Sequence, residues 1–314
     1  MNVFVAGATG VLGRRLVVRF HERGHRVMGL ARNPANEALI RSLGGEPRAG
    51  DLFDADSLAR AAEGAEVVVH AATAIPSKLR TTASDWAMND RIRRDGTRAL
   101  TAAASRVGAR QYIQESIVWV AQPTDGSEFD EDTPLRPPSV RFRSAVDAES
   151  ISREAGNRDR FAVSIIRCGM FYSADAAHTR TIAERVVHRR MPILGRGDAV
   201  WGTIHADDAA NAFVTVAEAS RGGLWHVVDD RPVTSAEFTR TLADWLSAPA
   251  PARVPVWLAR WIAGREEVNV LTSSTRTSNA RFRRELGWVP QFPTIREGFD
   301  QIVGQWKEEG FPPR

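Results

Sequence analysis

Apolar residues in the first half of the chain fall into short continuous runs separated by stretches with helical spacing. Val3 to Ala6 reads as a buried strand, Val11 to Arg23 as an amphipathic helix, and Arg26 to Leu30 as a second buried strand. The pattern predicts further strands at Glu66 to Ala71, Gln111 to Glu115 and Phe161 to Arg167. Between them it predicts helices at Arg91 to Val107 and Phe142 to Ala155. Apolar strands alternating with helices imply a parallel sheet covered on both faces, so the expected class is α/β, doubly wound. After Tyr172 the rhythm changes. A helix is expected at Thr181 to Arg190, a strand and helix through Thr203 to Ala219, and a strand at Leu224 to Val228. From Ser235 the pattern is mostly helical, with a Pro/Ala linker at Ala248 to Pro255. We therefore expect a sheet domain over residues 1–170, with residues 200–230 returning to the sheet. Residues 171–199 and 231–314 should form a smaller, mostly helical C-terminal lobe that binds substrate.

The first strand runs into Gly7-Ala8-Thr9-Gly10-Val11-Leu12-Gly13, which opens the first helix. Glycines there permit a tight turn, let a pyrophosphate approach the backbone, and let helix and strand pack closely, with the helix N-terminus facing the phosphates. In that strand-loop-helix context the doubly wound sheet is of the Rossmann type. Gly7, Thr9, Gly10, Val11, Leu12 and Gly13 are candidate dinucleotide contacts. Specificity is read at the end of the second strand, where a carboxylate would accept bonds from the ribose 2′-hydroxyl of NAD. Here Ala31-Arg32 stands instead. Arg32, with Arg14 in support, can face a 2′-phosphate, so NADP is the expected cofactor and NAD the less favoured one.

Composition narrows the classes. A chain of 314 residues with 43% hydrophobic and 25% charged residues can bury a large core, which argues against disorder. The formal charge of +4 and pI of about 9.9 raise a nucleic-acid partner. Only Lys78 and Lys307 are lysines, however, and the arginines are scattered among 38 acids rather than gathered in a stripe, so no nucleic-acid partner is expected. Cys168 is the only cysteine, which excludes an intramolecular disulfide and a thiolate metal cluster. No stretch approaches the ~20 apolar residues of a bilayer crossing, and no cationic leader precedes the first strand, so a cytoplasmic protein without a membrane partner is expected. His21-Glu22-Arg23-Gly24-His25 matches a zinc pattern that needs both imidazoles on one continuous helix. Gly24 should end that helix, so no metal is expected.

Further strings follow in order: Gly50-Asp51-Leu52, His70-Ala71-Ala72, Asp95-Gly96-Thr97, Arg167-Cys168-Gly169-Met170-Phe171-Tyr172, and Ile204-His205-Ala206-Asp207-Asp208-Ala209. The last runs from Ser278-Asn279 to Trp288-Val289-Pro290. With the glycine loop, they resemble the extended and atypical short-chain dehydrogenase/reductase family, the group of NAD-dependent epimerases and dehydratases. The resemblance covers nearly the whole chain. It implies that Asp51 and Leu52 approach adenine and that Ala71, Ala72, Thr73 and Cys168 line the cofactor. It also implies a homodimer through the helices at Arg91 to Val107 and Phe142 to Ala155.

In that family a Ser or Thr after the fifth strand orients the substrate, and a Tyr four residues before a Lys supplies the proton. Ser116 stands at the first place, but Arg141 and Ala145 stand where the Tyr and Lys are expected. The only tyrosines, Tyr112 and Tyr172, are followed four positions later by Ser116 and Ala176, so the chain contains no Tyr-x-x-x-Lys at all. In the family the Lys lowers the Tyr pKa and holds the nicotinamide ribose, and both services are missing here. The catalytic candidates are Ser116 as donor to a developing oxyanion, Arg141 as an electrostatic clamp and Tyr172 as a surrogate acid. The reading that follows is an NADP(H)-dependent reductase of a small carbonyl, imine or conjugated metabolite with a non-standard proton path. The alternatives are a non-redox isomerase or lyase that retains the nucleotide, and a non-catalytic NADP(H)-sensing regulator.

Overall fold

The computed structural model describes residues 1–76, 80–137 and 139–311; Lys78 and residues 312–314 of the expected lobe lie outside the described residues. The first half alternates β1 (Asn2–Ala6), α1 (Val11–Glu22), β2 (Arg26–Ala31), α2 (Pro34–Ser42), β3 (Glu46–Ala49), α3 (Ala55–Ala61) and β4 (Val67–His70). It continues through α4 (Ala83–Arg91), α5 (Thr97–Arg106), β5 (Gln111–Ile117), α6 (Arg143–Asp159) and β6 (Ala162–Cys168). Then come β7 (Met170–Tyr172), α7 (Ala177–Val187), β8 (Ile193–Leu194), β9 (Val200–Trp201), β10 (Thr203–His205), α8 (Ala206–Ala219) and β11 (Gly223–Val227). The chain finishes with β12 (Val233–Thr234), α9 (Ser235–Trp245), β13 (Arg253–Val254), α10 (Val256–Ala263), α11 (Arg265–Leu271), α12 (Ala280–Leu286) and α13 (Ile295–Glu309).

Seven strands form one parallel sheet in the order β11-β6-β5-β4-β1-β2-β3. The order reverses between β1 and β4, which opens a crevice at the carboxyl ends of those two strands. Both faces are covered because the strands are apolar on both sides, as the buried Val67, Val68 and Val69 show. On one face α1 contributes Leu12, Leu16, Val17 and Phe20, packed with Ala209, Phe213 and Val216 of α8. On the other, Leu58, Leu100, Ala103 and Ala155 enclose Phe4, Val68 and Tyr112. A third core holds the C-terminal lobe, where Trp201, Phe238, Leu242, Phe299, Ile302 and Trp306 pack together. No helix among the described residues is long and apolar enough to cross a membrane.

Three local expectations change. The helix expected at Arg91 to Val107 is broken into α4 and α5 by a wide π turn at Ile92–Gly96, which turns Ile92, Arg93 and Gly96 into the interior. Such turns insert an extra residue and are frequent at functional sites. The helix expected at Thr181 to Arg190 is α7, which starts earlier and stops before Arg189, whose φ of 57° cannot continue it. The Pro/Ala linker contains β13, which pairs in parallel with β8 through Arg253 opposite Ile193. Gly24, at φ 77°, lies past the end of α1, so His21 and His25 do not share a helix.

Candidate functional site

The glycine loop lies in the crevice. Gly7 sits at φ 90°, and a Cβ there would lie 2.6 Å from backbone atoms of Ala71 and Ala72, so only glycine lets β1 approach the β4 loop this closely. A Cβ on Gly13 would fall 1.9 Å from the Gly7 carbonyl oxygen. Gly10 differs. Its only neighbour on that side is the Gly7 oxygen at 3.4 Å, so it faces open space. Gly10 is also the N-cap of α1 and no side chain caps that end, so the Val11, Leu12 and Gly13 N–H groups keep their donors for a ligand. An uncapped helix start beside an open glycine face fits a pyrophosphate. Thr9 and Val11 flank it, and Leu12 is buried beneath it.

At the end of β2, Arg32 is exposed and has no ion-pair partner among the described residues. Asp51 is exposed too, its carboxylate accepting the Phe53 N–H at 2.9 Å, while Leu52 is buried where a Cβ on Gly96 would touch it. Arg14 departs from expectation. Its guanidinium pairs with Asp175 at 2.7 Å, beside a second pair between Arg15 and Asp175 at 2.9 Å, so α1 directs it to the β7–α7 loop and away from Arg32. Toward the other end of the crevice, Ala71, Ala72 and Thr73 leave β4 with rising exposure. Cys168 is fully buried between Ile117 and Val227, and burial with the nearby Glu115 carboxylate pushes its thiol up. Its side chain is closed off from the crevice.

The three catalytic candidates sit in three separate clusters. Ser116, 1% exposed, donates to Glu149 Oε1 at 2.6 Å. Glu149 also accepts both Arg167 Nε and Nη2 at 2.8 Å. Arg167 Nη1 donates to His226 Nε2 at 3.4 Å, and His226 Nδ1 lies 2.7 Å from Thr277 Oγ1. Burial, then the charges of Arg167 and Arg281, hold His226 down to about 3, so it is neutral and can accept from Arg167. Ser116 thus belongs to a buried polar chain whose ends are satisfied. Its hydroxyl hydrogen points at Glu149 and not at an open oxyanion site, contrary to expectation.

Arg141 bonds Glu267 at 2.9 Å and approaches Glu266 at 3.3 Å, with its side chain 12% exposed and 5.7 Å from the Trp86 ring. Glu267 further accepts the Thr81 N–H at 2.9 Å. The clamp is therefore neutralised by α11. Tyr172 is 1% exposed, with His205 and Phe299 edge-on against it, and its hydroxyl lies beside the buried Asp229 carboxylate. Burial and the Asp229 carboxylate raise its ionisation well above the usual tyrosine value. That environment makes it a poorer acid, and it lies within the C-terminal lobe rather than at the crevice. Arg80, Trp257, Arg260, Trp261 and Arg265 line an open cavity of about 1000 Å³ beside α10 and α11 that has no acidic lining residue among those described.

The model of the NAD dependent epimerase/dehydratase family matches residues 3–227. The chain belongs to that family. It is 34% identical over 310 residues to a 3-diazoavenalumate denitrifying reductase of a Streptomyces species, covering 95% of this chain and 99% of that protein. It is 29% identical over 312 residues to a ceramide reductase of Caulobacter vibrioides, covering 96% and 90%. Among solved structures, the fold matches a dTDP-glucose 4,6-dehydratase of Streptomyces venezuelae with NAD and TYD bound, at TM-score 0.79, 24% identity and 98% and 97% coverage. It also matches a human epimerase family protein with NADPH, at TM-score 0.80, 20% identity and 97% and 99% coverage.

Within this epimerase/dehydratase family member, the partners of the candidates escaped the sequence reading. Glu149, His226, Thr277 and Glu267 are separated from the residues they hold by tens of positions, and nothing local marks them. A usable signal did exist in the strands. Arg167 and Glu115 are charged residues inside central strands of a sheet covered on both faces, and a buried charge requires a partner or a task.

Proposed function

We propose that the protein is an NADP(H)-dependent reductase that delivers hydride to an acceptor needing no side-chain acid in the same step. The observation that carries this is the Ser116–Glu149 bond, which commits the only serine at the family's catalytic place to an internal carboxylate. The glycine loop and the first turn of α1 hold the pyrophosphate, and Arg32 holds the 2′-phosphate. A bound reduced nicotinamide supplies the hydride. Reducing a simple ketone also needs a proton on oxygen, and Ser116, Arg141 and Tyr172 are all poorly placed to give one. An iminium or a diazonium carbon has no such need, the iminium becoming a neutral amine and the diazonium exchanging its dinitrogen for hydride, while a conjugated acceptor becomes an enolate that water protonates in a later step. The relative named for a denitrifying reduction of a diazo compound supports this reading. The cavity beside α10 and α11 suits a planar anionic acceptor, because three arginines meet an anion and two indoles give flat apolar faces. A single, buried cysteine suits a cytoplasmic setting.

The test is hydride transfer, followed at the nicotinamide absorbance, with native protein, NADPH and three acceptor classes: an aryl diazonium carboxylate, a cyclic iminium and an aryl aldehyde. Turnover of either of the first two, far above the aldehyde, supports the proposal. Preferential turnover of the aldehyde would refute it.

A further inference from the structure

β4 ends at His70, level with Gln114, so Glu115 is the first residue of β5 with no β4 neighbour beside it. It stands at the carboxyl edge of the sheet, on the far side of the strand reversal from Arg32. There the second nucleoside of a dinucleotide crosses a sheet of this order. The wide turn at Ile92–Gly96 brings Arg93 close enough for the two charges to act on each other. Both side chains are more than nine-tenths buried, Arg93 being 3% and Glu115 7% exposed.

Opposite charges in such surroundings ordinarily close into an ion pair, because a buried charge without a partner is costly. These two do not close. Among the described residues Arg93 Nη1 has no hydrogen-bond acceptor and no donor reaches the Glu115 carboxylate. Asp90, the other acid whose charge acts on Arg93, does not bond it either and has a buried Oδ1 without a partner among them. One turn earlier, Asn89 Oδ1 accepts the Ala74 N–H at 3.0 Å from the loop that follows Thr73, and its Nδ2 likewise has no partner among the described residues. An anion entering this gap would meet Glu115, and a cation would meet Arg93. A neutral group that both donates and accepts would satisfy both.

We propose that Arg93 and Glu115 form the receptor for the vicinal hydroxyls of the cofactor's nicotinamide-side ribose, which donate to Glu115 and accept from Arg93. The proposal rests on the dinucleotide reading above and supplies the ribose contact that the absent Lys would have made. Burial holds the free Glu115 carboxyl up to about 7. Hydroxyl donors favour the charged form, so cofactor binding near pH 7 should release a proton from Glu115.

Calorimetry on native protein, Glu115→Gln and Arg93→Met tests this with two probes: NADPH, and adenosine 2′,5′-bisphosphate, which lacks the second ribose. We expect each variant to bind NADPH ~10-fold or more weakly, as for loss of a hydrogen bond to a charged group, and to bind the bisphosphate unchanged. Glu115→Gln should also abolish the buffer-dependent heat that marks proton release. Glu115→Gln keeps the side-chain shape, and retained bisphosphate binding shows that each variant is folded. Unchanged NADPH affinity in both variants would overturn the proposal, as would equal weakening of both probes. Native protein that binds neither probe would instead overturn the dinucleotide reading.

Discussion

Ser116 gives its hydroxyl hydrogen to Glu149 across 2.6 Å, and the same carboxylate grips Arg167 with two bonds of 2.8 Å. The buried pair fixes the serine, so the residue at the family's substrate-orienting place serves the interior. Ser116→Ala should therefore change hydride transfer to a diazonium or iminium acceptor by less than about tenfold. Loss of a true oxyanion donor would cost roughly 100- to 1,000-fold. Single-turnover absorbance measurements separate the two. A loss above a hundredfold would mean that Ser116 turns from Glu149 to the substrate.

Gly10 borders open space and caps α1 without a side chain. Gly10→Val meets only the Gly7 oxygen, so the protein should fold normally, while the isopropyl group occupies the pyrophosphate path. Calorimetry should show NADPH binding abolished in a variant whose melting temperature is nearly native. Unchanged affinity would remove the glycine loop from the cofactor site.

Arg32 is exposed and without an ion-pair partner among the described residues, and Arg14 is held by Asp175. The 2′-phosphate contact should accordingly rest on Arg32 alone. Arg32→Ala should weaken NADPH by roughly 1.5 to 3 kcal/mol, the range for a hydrogen bond to a charged group, and leave NADH unaffected. Arg14→Ala should leave the NADPH-to-NADH preference as it was. Equal losses for both cofactors in Arg32→Ala would show that it does not read the phosphate.

His226 is held at about 3 in the folded chain against an ordinary 6.5. The unfolded chain then binds the extra proton first. The stability from a neutral His226 is complete above pH 6.5 and drains away as pH falls toward 3, at up to about 1.4 kcal/mol per pH unit. Urea denaturation of native protein and His226→Gln between pH 4 and 8 should give curves that converge on acidification, since groups common to both cancel in the difference. Parallel curves would show that His226 takes up its proton as readily folded as unfolded.

The strands, the glycine loop and the missing Tyr-x-x-x-Lys pair were legible because each is a local property. A run such as Val67-Val68-Val69 can only be a buried strand here, glycines at 7, 10 and 13 answer to backbone contacts within one βαβ unit, and a Tyr-x-x-x-Lys spacing that occurs nowhere in the sequence cannot occur on a helix. The two-residue strand β13 within the Pro/Ala linker was not legible, because a pairing that short is stabilised by its partner β8 and not by its own composition.

The chain's own order of residues thus determined the sheet, the place of the dinucleotide loop and the lack of the usual acid. Tertiary structure alone decided what the remaining polar side chains do. It gave Ser116 to Glu149, Arg14 to Asp175 and Arg141 to Glu267, closed Tyr172 into the lobe core, and left Arg93 and Glu115 buried near each other without a bond between them. A charged or hydroxyl group takes whichever partner burial brings within about 3 Å, and these partners lie 33 to 161 positions apart where a hydrogen bond is made. Strand and turn preferences act between neighbours in sequence, whereas the partner of a buried polar group is chosen by the packing of distant elements.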